Sequence, residues 1–148
     1  MKILFVCTGN TCRSAMAEGI AKHLLSKENL SAEVSSAGVF ATFGTSASEN
    51  AILALDEIGI DISKHISKPL TEEMLKEANL VLTMTLGHKN AILSKYPQFS
   101  DKVYTLFEYI NEDKDVLDPF GGNLEVYRQT ANEIKQAIEK IISKIKES

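Results

Sequence analysis

An unbroken apolar run, Ile3-Leu4-Phe5-Val6, gives way to the octad Cys7-Thr8-Gly9-Asn10-Thr11-Cys12-Arg13-Ser14, and a segment of helical periodicity follows from Met16 to Leu25. Strand, tight polar turn, helix is an order that gathers backbone N–H groups at the positive end of a helix dipole, where an anion is welcome. Within the turn a thiol and a guanidinium stand at the two ends of a loop that can fold into a cup. Arg13 offers a planar fork matched to two oxygens of a phosphate. Cys7 falls at the base of the cup, where converging N–H groups favour the thiolate over the thiol. Taken singly these residues are bland: Cys7 suits a small buried hydrophobe, and Gly9 and Asn10 suit any turn. The whole octad between strand and helix points instead to a nucleophile beneath a phosphate-shaped cradle.

At 148 residues, with 44% hydrophobic and 24% charged side chains, the chain has the size and balance of one globular domain spanning 1–148. Its two cysteines both lie in the octad, so no disulfide framework is expected to hold the fold. The net charge is -4 and no Lys/Arg cluster interrupts it, which argues against nucleic acid or an anionic membrane as a partner. No apolar run is long enough to span a bilayer, and Lys2 to Val6 is too short for a signal sequence; a cytoplasmic location is the expectation.

Apolar runs read as strands at Lys2–Cys7, 32–37, 80–84 and 103–106. Helical patterns fall between them: 14–26 with Met16, Ala17, Ile20, Ala21 and Leu24 inward and Glu18 and Lys22 outward; 46–58 with Ala51, Leu55 and Ile58 as its stripe and Ser46 or Ser48 as cap; a short one from Thr71 toward Asn79; and 86–95. The strongest is 124–146, where Tyr127, Ala131, Ile134, Ile138, Ile141, Ile142 and Ile145 recur at helical spacing. Strands alternating with helices predict an α/β fold, an open four-stranded parallel sheet with helices on both faces. Ligands of such sheets bind beyond the carboxyl ends of the strands, where strand order switches, and Cys7 ends the first strand.

Attack by sulfur on phosphorus expels a group that needs a proton, and a general acid that gives it can afterwards activate water. Asp118-Pro119-Phe120-Gly121-Gly122, ahead of the last helix, offers the best placed carboxyl. Asp118 also suits a simple turn start. Asp113 and Asp115 lie in a charged run that reads as solvated. His23, His65 and His88 are scattered, with no spacing that suggests a metal site, and no cofactor is expected. The loop lacks the Lys-Ser/Thr ending of a nucleotide-binding site. A module that merely binds phosphate would gain little from the thiol.

The octad near the N-terminus, with Asp118-Pro119 late in a chain of this length, resembles the low-molecular-weight protein tyrosine phosphatase family over nearly the whole sequence. The resemblance implies a cysteine-dependent protein phosphatase working through a phosphocysteine, with Cys7 as nucleophile, Arg13 binding phosphate and Asp118 as acid and then base. It further implies that Ser14 hydrogen-bonds the Cys7 sulfur, and that Asn10 holds the loop open through its side chain together with Ser36 and His65. Phosphorylated proteins would be the substrates, and inorganic phosphate a product and inhibitor.

Tyrosine-directed members usually carry a bulky aliphatic residue in place of Thr11 and often two aromatics after the Asp-Pro pair. Thr11, Phe120-Gly121-Gly122, Ser36-Ala37-Gly38-Val39-Phe40-Ala41 and Leu82-Thr83-Met84 are instead similar to bacterial protein-arginine phosphatases. Phosphoarginine as substrate follows from that resemblance, the octad and the walls Phe40 and Phe120 forming its binding site, with phosphotyrosine as the alternative. Arsenate reductases with a like loop need two further relay cysteines, which residues 80–90 do not contain. A bond from Cys12 to Cys7 would then protect a reactive thiol from overoxidation.

Overall fold

The computed structural model describes residues 1–147. Its first strand, β1 (Lys2–Cys7), is covered on both faces, which is why its sequence is apolar without alternation. Ile3, Phe5 and Cys7 turn to one face, Leu4 and Val6 to the other. Beside β1 lie β2 (Glu33–Gly38) and β3 (Leu80–Thr83), and β4 (Val103–Thr105) closes the far edge, all parallel in the order β2-β1-β3-β4. The chain moves outward in one direction after β1 and in the other after β2, so the switch of strand order falls between β1 and β3, at the carboxyl end where Cys7 stands.

Among the described residues five α-helices cover the sheet: α1 (Arg13–Lys27), α2 (Glu49–Asp56), α3 (Glu72–Glu77), α4 (Leu86–Lys95) and α5 (Leu124–Glu147). Helices α1, α2 and α5 pack on the face that holds Phe5, and α3 and α4 on the face that holds Leu4 and Val6. The predicted stripe of α5 is the inner stripe: Tyr127, Ala131, Ile134, Ile138, Ile141 and Ile142 are all buried. Thr71 caps α3 by accepting from Met74 N–H at 3.2 Å, and Thr85 caps α4 by accepting from His88 N–H at 3.2 Å. Among the described residues no helix is long and apolar enough to cross a membrane.

Two expectations need correction. Helix α2 is shorter than 46–58, and Ile58 lies 44% exposed beyond its end, because the chain leaves the helix at Glu57 and turns through Gly59 at φ +81°. Ser48 takes the N-cap position without capping through its side chain. Glu18 does not face outward into solvent: only 15% of its side chain is exposed, and it reaches back over β2.

The sheet also shapes the loop that leaves it. Val39 N–H donates to Cys7 C=O and Phe40 N–H to Thr8 C=O, both at 2.9 Å, so the chain after β2 continues to grip the chain after β1. Gly38 permits this closeness. A Cβ there would run into Thr8 C=O and stand 2.8 Å from Ala41 Cβ and 3.0 Å from Asn10 N. Gly38→Ala should therefore displace the loop while leaving the helices folded. We expect kcat/KM toward an aryl phosphate to fall by about 10²-fold, the scale of an ångström-sized misplacement at a reacting centre, with an unchanged far-ultraviolet circular dichroism spectrum.

Candidate active site

Residues 8–12 leave β1 and turn immediately into α1, whose first turn contains no acidic side chain to occupy its positive end. Asn10 makes the turn possible. It adopts φ +60°, a left-handed conformation that Asn tolerates better than most residues, and its side chain is fully buried beneath the loop. Above it, Cys7, Thr8, Gly9, Thr11, Cys12, Arg13, Asp118 and Phe120 line a hollow of about 230 Å³.

A backbone donor orients the amide under the loop. Lys68 N–H donates to Asn10 Oδ1 at 3.0 Å, which leaves the Asn10 Nδ2 hydrogens for Ser14 Oγ at 2.8 Å and Ser36 Oγ at 2.9 Å. Ser14 Oγ, accepting from Asn10, lies 2.8 Å from Cys7 Sγ, where its hydroxyl can donate to a thiolate. Ser36, accepting likewise, donates to Glu18 Oε1 at 2.5 Å, and Lys22 Nζ holds Glu18 Oε2 at 2.7 Å. His65 Nε2 lies 2.7 Å from the carbonyl oxygen of Asn10. Asn10, Ser14, Ser36 and His65 thus do meet, although His65 reaches the Asn10 backbone rather than its side chain. Asn10 and Ser14 lie beneath the hollow and do not line it.

Arg13 is buried, and its Nη1 donates to Val116 C=O at 2.9 Å while Nη2 stands 3.7 Å from Asp118 Oδ2. Val116 N–H in turn donates to Met84 C=O at 2.9 Å, hooking the segment that carries Asp118 onto the end of β3. The Asp118 side chain is 56% exposed, and its Oδ1 accepts from Phe120 N–H at 3.0 Å, a turn that tucks Pro119 inward and leaves Phe120 standing out. A carboxyl so placed faces both the guanidinium and the open mouth of the hollow. Phe40 is the one expected wall that the structure does not bring to the hollow. Its backbone is tied to Thr8, but the residue is 86% exposed and does not line the hollow.

The second thiol has other company. Cys12 Sγ lies 3.3 Å from Ser48 Oγ and 3.4 Å from Tyr127 OH, and burial, followed by this thiol, pushes the Tyr127 phenol above its usual range. Both cysteines are free.

Glu18, Val116 and His88 escape sequence reasoning. His88 is buried on the third residue of α4, its Nε2 2.8 Å from Thr8 Oγ1 and its Nδ1 3.0 Å from Thr85 Oγ1. Burial first, and then the Arg13 charge, push its imidazole down from 6.5 to about 4, against the upward pull of Asp115 and Asp118. Only the Thr85–His88 spacing at the head of a helix could have drawn attention to it.

Residues 2–148 match the family model described as low molecular weight phosphotyrosine protein phosphatase. A protein-arginine-phosphatase of Bacillus subtilis is 46% identical over 147 residues, covering 99% of this chain and 97% of the relative. Among solved structures, a mutant of the YwlE arginine phosphatase with a phosphorylated active-site serine superposes with TM-score 0.96 at 46% identity, covering 99% of this chain and 96% of that one. The low molecular weight protein tyrosine phosphatase from T. tengcongensis superposes with TM-score 0.95 at 50% identity, covering 97% and 99%.

The depressed His88 titration has a measurable consequence. Below pH 6.5 the unfolded chain takes up a proton at this residue, whereas the folded protein does so only near pH 4. Stability present above pH 6.5 is thus lost as pH falls toward 4. Thermal melts should show Tm dropping between pH 6.5 and 5, ahead of the carboxylates, and His88→Gln should flatten that drop.

Proposed function

Because the chain belongs to the low molecular weight phosphotyrosine protein phosphatase family, and is with it a cysteine-dependent phosphoprotein phosphatase, we propose that it hydrolyses phosphoarginine in proteins. The observation that carries this reading is the mouth of the hollow, where a half-exposed Asp118 carboxyl faces the Arg13 fork beside a small polar residue, Thr11. A guanidino group needs such a carboxyl: its carbonyl oxygen can accept a hydrogen bond from a nitrogen that does not react while its hydroxyl protonates the one that leaves. Thr11 leaves polar room where a bulky aliphatic side chain would press on a flat ring. The 46% identical relative from Bacillus subtilis bears the name protein-arginine-phosphatase.

In the proposed reaction, Cys7 thiolate attacks phosphorus, an S–P bond forms, and the P–N bond breaks. The Asp118 carboxyl delivers a proton to the departing nitrogen, so arginine leaves neutral at that atom. The non-bridging phosphoryl oxygens sit on the N–H groups of residues 8–13 and on the Arg13 guanidinium, where charge accumulates in the transition state. Asp118, now a carboxylate, takes a proton from water as its oxygen attacks phosphorus. The S–P bond breaks, and the Ser14 hydroxyl, directed at the sulfur by Asn10, stabilises the thiolate that departs. Phosphate is released and Asp118 is again protonated.

A second reading, phosphotyrosine hydrolysis, is favoured by Phe120, whose ring borders the hollow and could cover an aromatic substrate. The 50% identical structure from T. tengcongensis is described as a tyrosine phosphatase. Parallel kcat/KM measurements on a protein bearing phosphoarginine and one bearing phosphotyrosine separate the two. The arginine reading expects the first to dominate, and Thr11→Ile to move the ratio toward the second; equal losses on both would remove Thr11 from the specificity. On either substrate Cys7→Ser should abolish turnover, and Asp118→Ala should lower kcat by on the order of 10²–10⁴.

A further inference from the structure

Thr8, the residue after the nucleophile, is tied from two sides. Its carbonyl accepts from Phe40 N–H at 2.9 Å, a bond from the β2 side of the sheet. Its hydroxyl meets His88 Nε2 at 2.8 Å, a bond from α4, which follows β3. Since β1 lies between β2 and β3, Thr8 spans the crevice at the switch of strand order. Thr8 also lines the hollow, whereas His88 does not.

We infer that His88 is a positioning residue for the phosphate cup, holding Thr8 through the Nε2–Oγ1 hydrogen bond so that the N–H groups next to Cys7 are aimed before a phosphoryl group arrives. The ring is itself held for this task. Thr85 Oγ1, the cap of α4, takes His88 N–H at 3.2 Å and meets Nδ1 at 3.0 Å, so one hydroxyl fixes both the backbone and the ring of the same residue. Each ring nitrogen thus has a neutral hydroxyl partner, which suits an uncharged imidazole; burial and the nearby Arg13 keep it in that form. A cation at this position would compete with Arg13 for the substrate's charge and for Asp118. An uncharged donor and acceptor gives the anchor without that competition.

The proposal rests on the phosphohydrolase reading and can fail separately from it. The test uses p-nitrophenyl phosphate as substrate and inorganic phosphate as competitor, with Thr8→Val, His88→Ala, His88→Gln, His88→Phe and the double variant Thr8→Val/His88→Ala. Thr8→Val removes the hydroxyl at constant shape and keeps the core intact should His88→Ala fold poorly. For loss of one hydrogen bond that orders an anion site, KM and the phosphate inhibition constant should rise together by about three- to tenfold, with kcat changed less. The double variant should be no worse than the weaker single one, since both remove the same contact. His88→Gln, whose amide reaches the place of Nε2, should recover most of the loss, and His88→Phe, which fills the same space, should not. Wild-type constants in Thr8→Val, multiplicative losses in the double variant, or rescue by Phe as good as by Gln would each overturn the assignment. Loss of activity in Cys7→Ser tests the hydrolase reading alone and leaves these comparisons untouched.

Discussion

A single buried amide carries the architecture of the site. Asn10 sits at φ +60° with every polar atom of its side chain engaged: Oδ1 by Lys68 N–H, Nδ2 by Ser14 and Ser36. A buried amide left half-satisfied would cost about 1–3 kcal/mol, so the three partners and the loop conformation stand or fall together. The direction of these bonds is forced by the backbone donor at Lys68. Both serines accept from the amide, which leaves the Ser36 hydroxyl to donate to the Glu18 carboxylate and the Ser14 hydroxyl free to donate to a thiolate 2.8 Å away. The local polarity of the site is settled by a residue that lines none of it.

Around this knot the cup is held at its rim as well as its base. Phe40 N–H grips Thr8 from one side and His88 from the other, while Gly38 lets the backbone of β2 approach the loop without a side chain between. The aromatic residues nearby contribute little to this rigidity. Phe40, Phe43 and Phe120 are all more than 70% exposed, so they do not pack the loop in place.

The parts legible in the sequence are those written locally. The octad between an apolar strand and a helix declares the loop that frames the hollow, the spacing of isoleucines declares α5, and Asp118-Pro119 stands out as a stiffened carboxyl before a helix. Ser36 and His65 were reachable only through resemblance, because nothing in their own neighbourhoods marks them. Glu18 falls opposite the apolar stripe of α1, which points it outward, yet β2 passes close enough for Ser36 to claim it. His88 offered a lone histidine on a polar helix start, and its partner Thr8 lies 80 residues away. Phe40 shows the opposite case: its place in the chain lies beside Thr8, but the backbone makes that contact and the side chain does not line the hollow. Periodicity reports which face of an element is inside. It is silent on which neighbour a polar side chain will find across a sheet.

The bond from Arg13 to Val116 has a mechanical meaning. One nitrogen of the guanidinium is fastened to a backbone carbonyl 103 residues further along, and the N–H of that same residue is fastened to the end of β3. The fork cannot swivel without dragging the strap that bears Asp118, and the strap cannot lift without turning the fork. Floor and flank, contributed by opposite ends of the chain, are thereby geared to each other, and a strain applied at either would be felt at both.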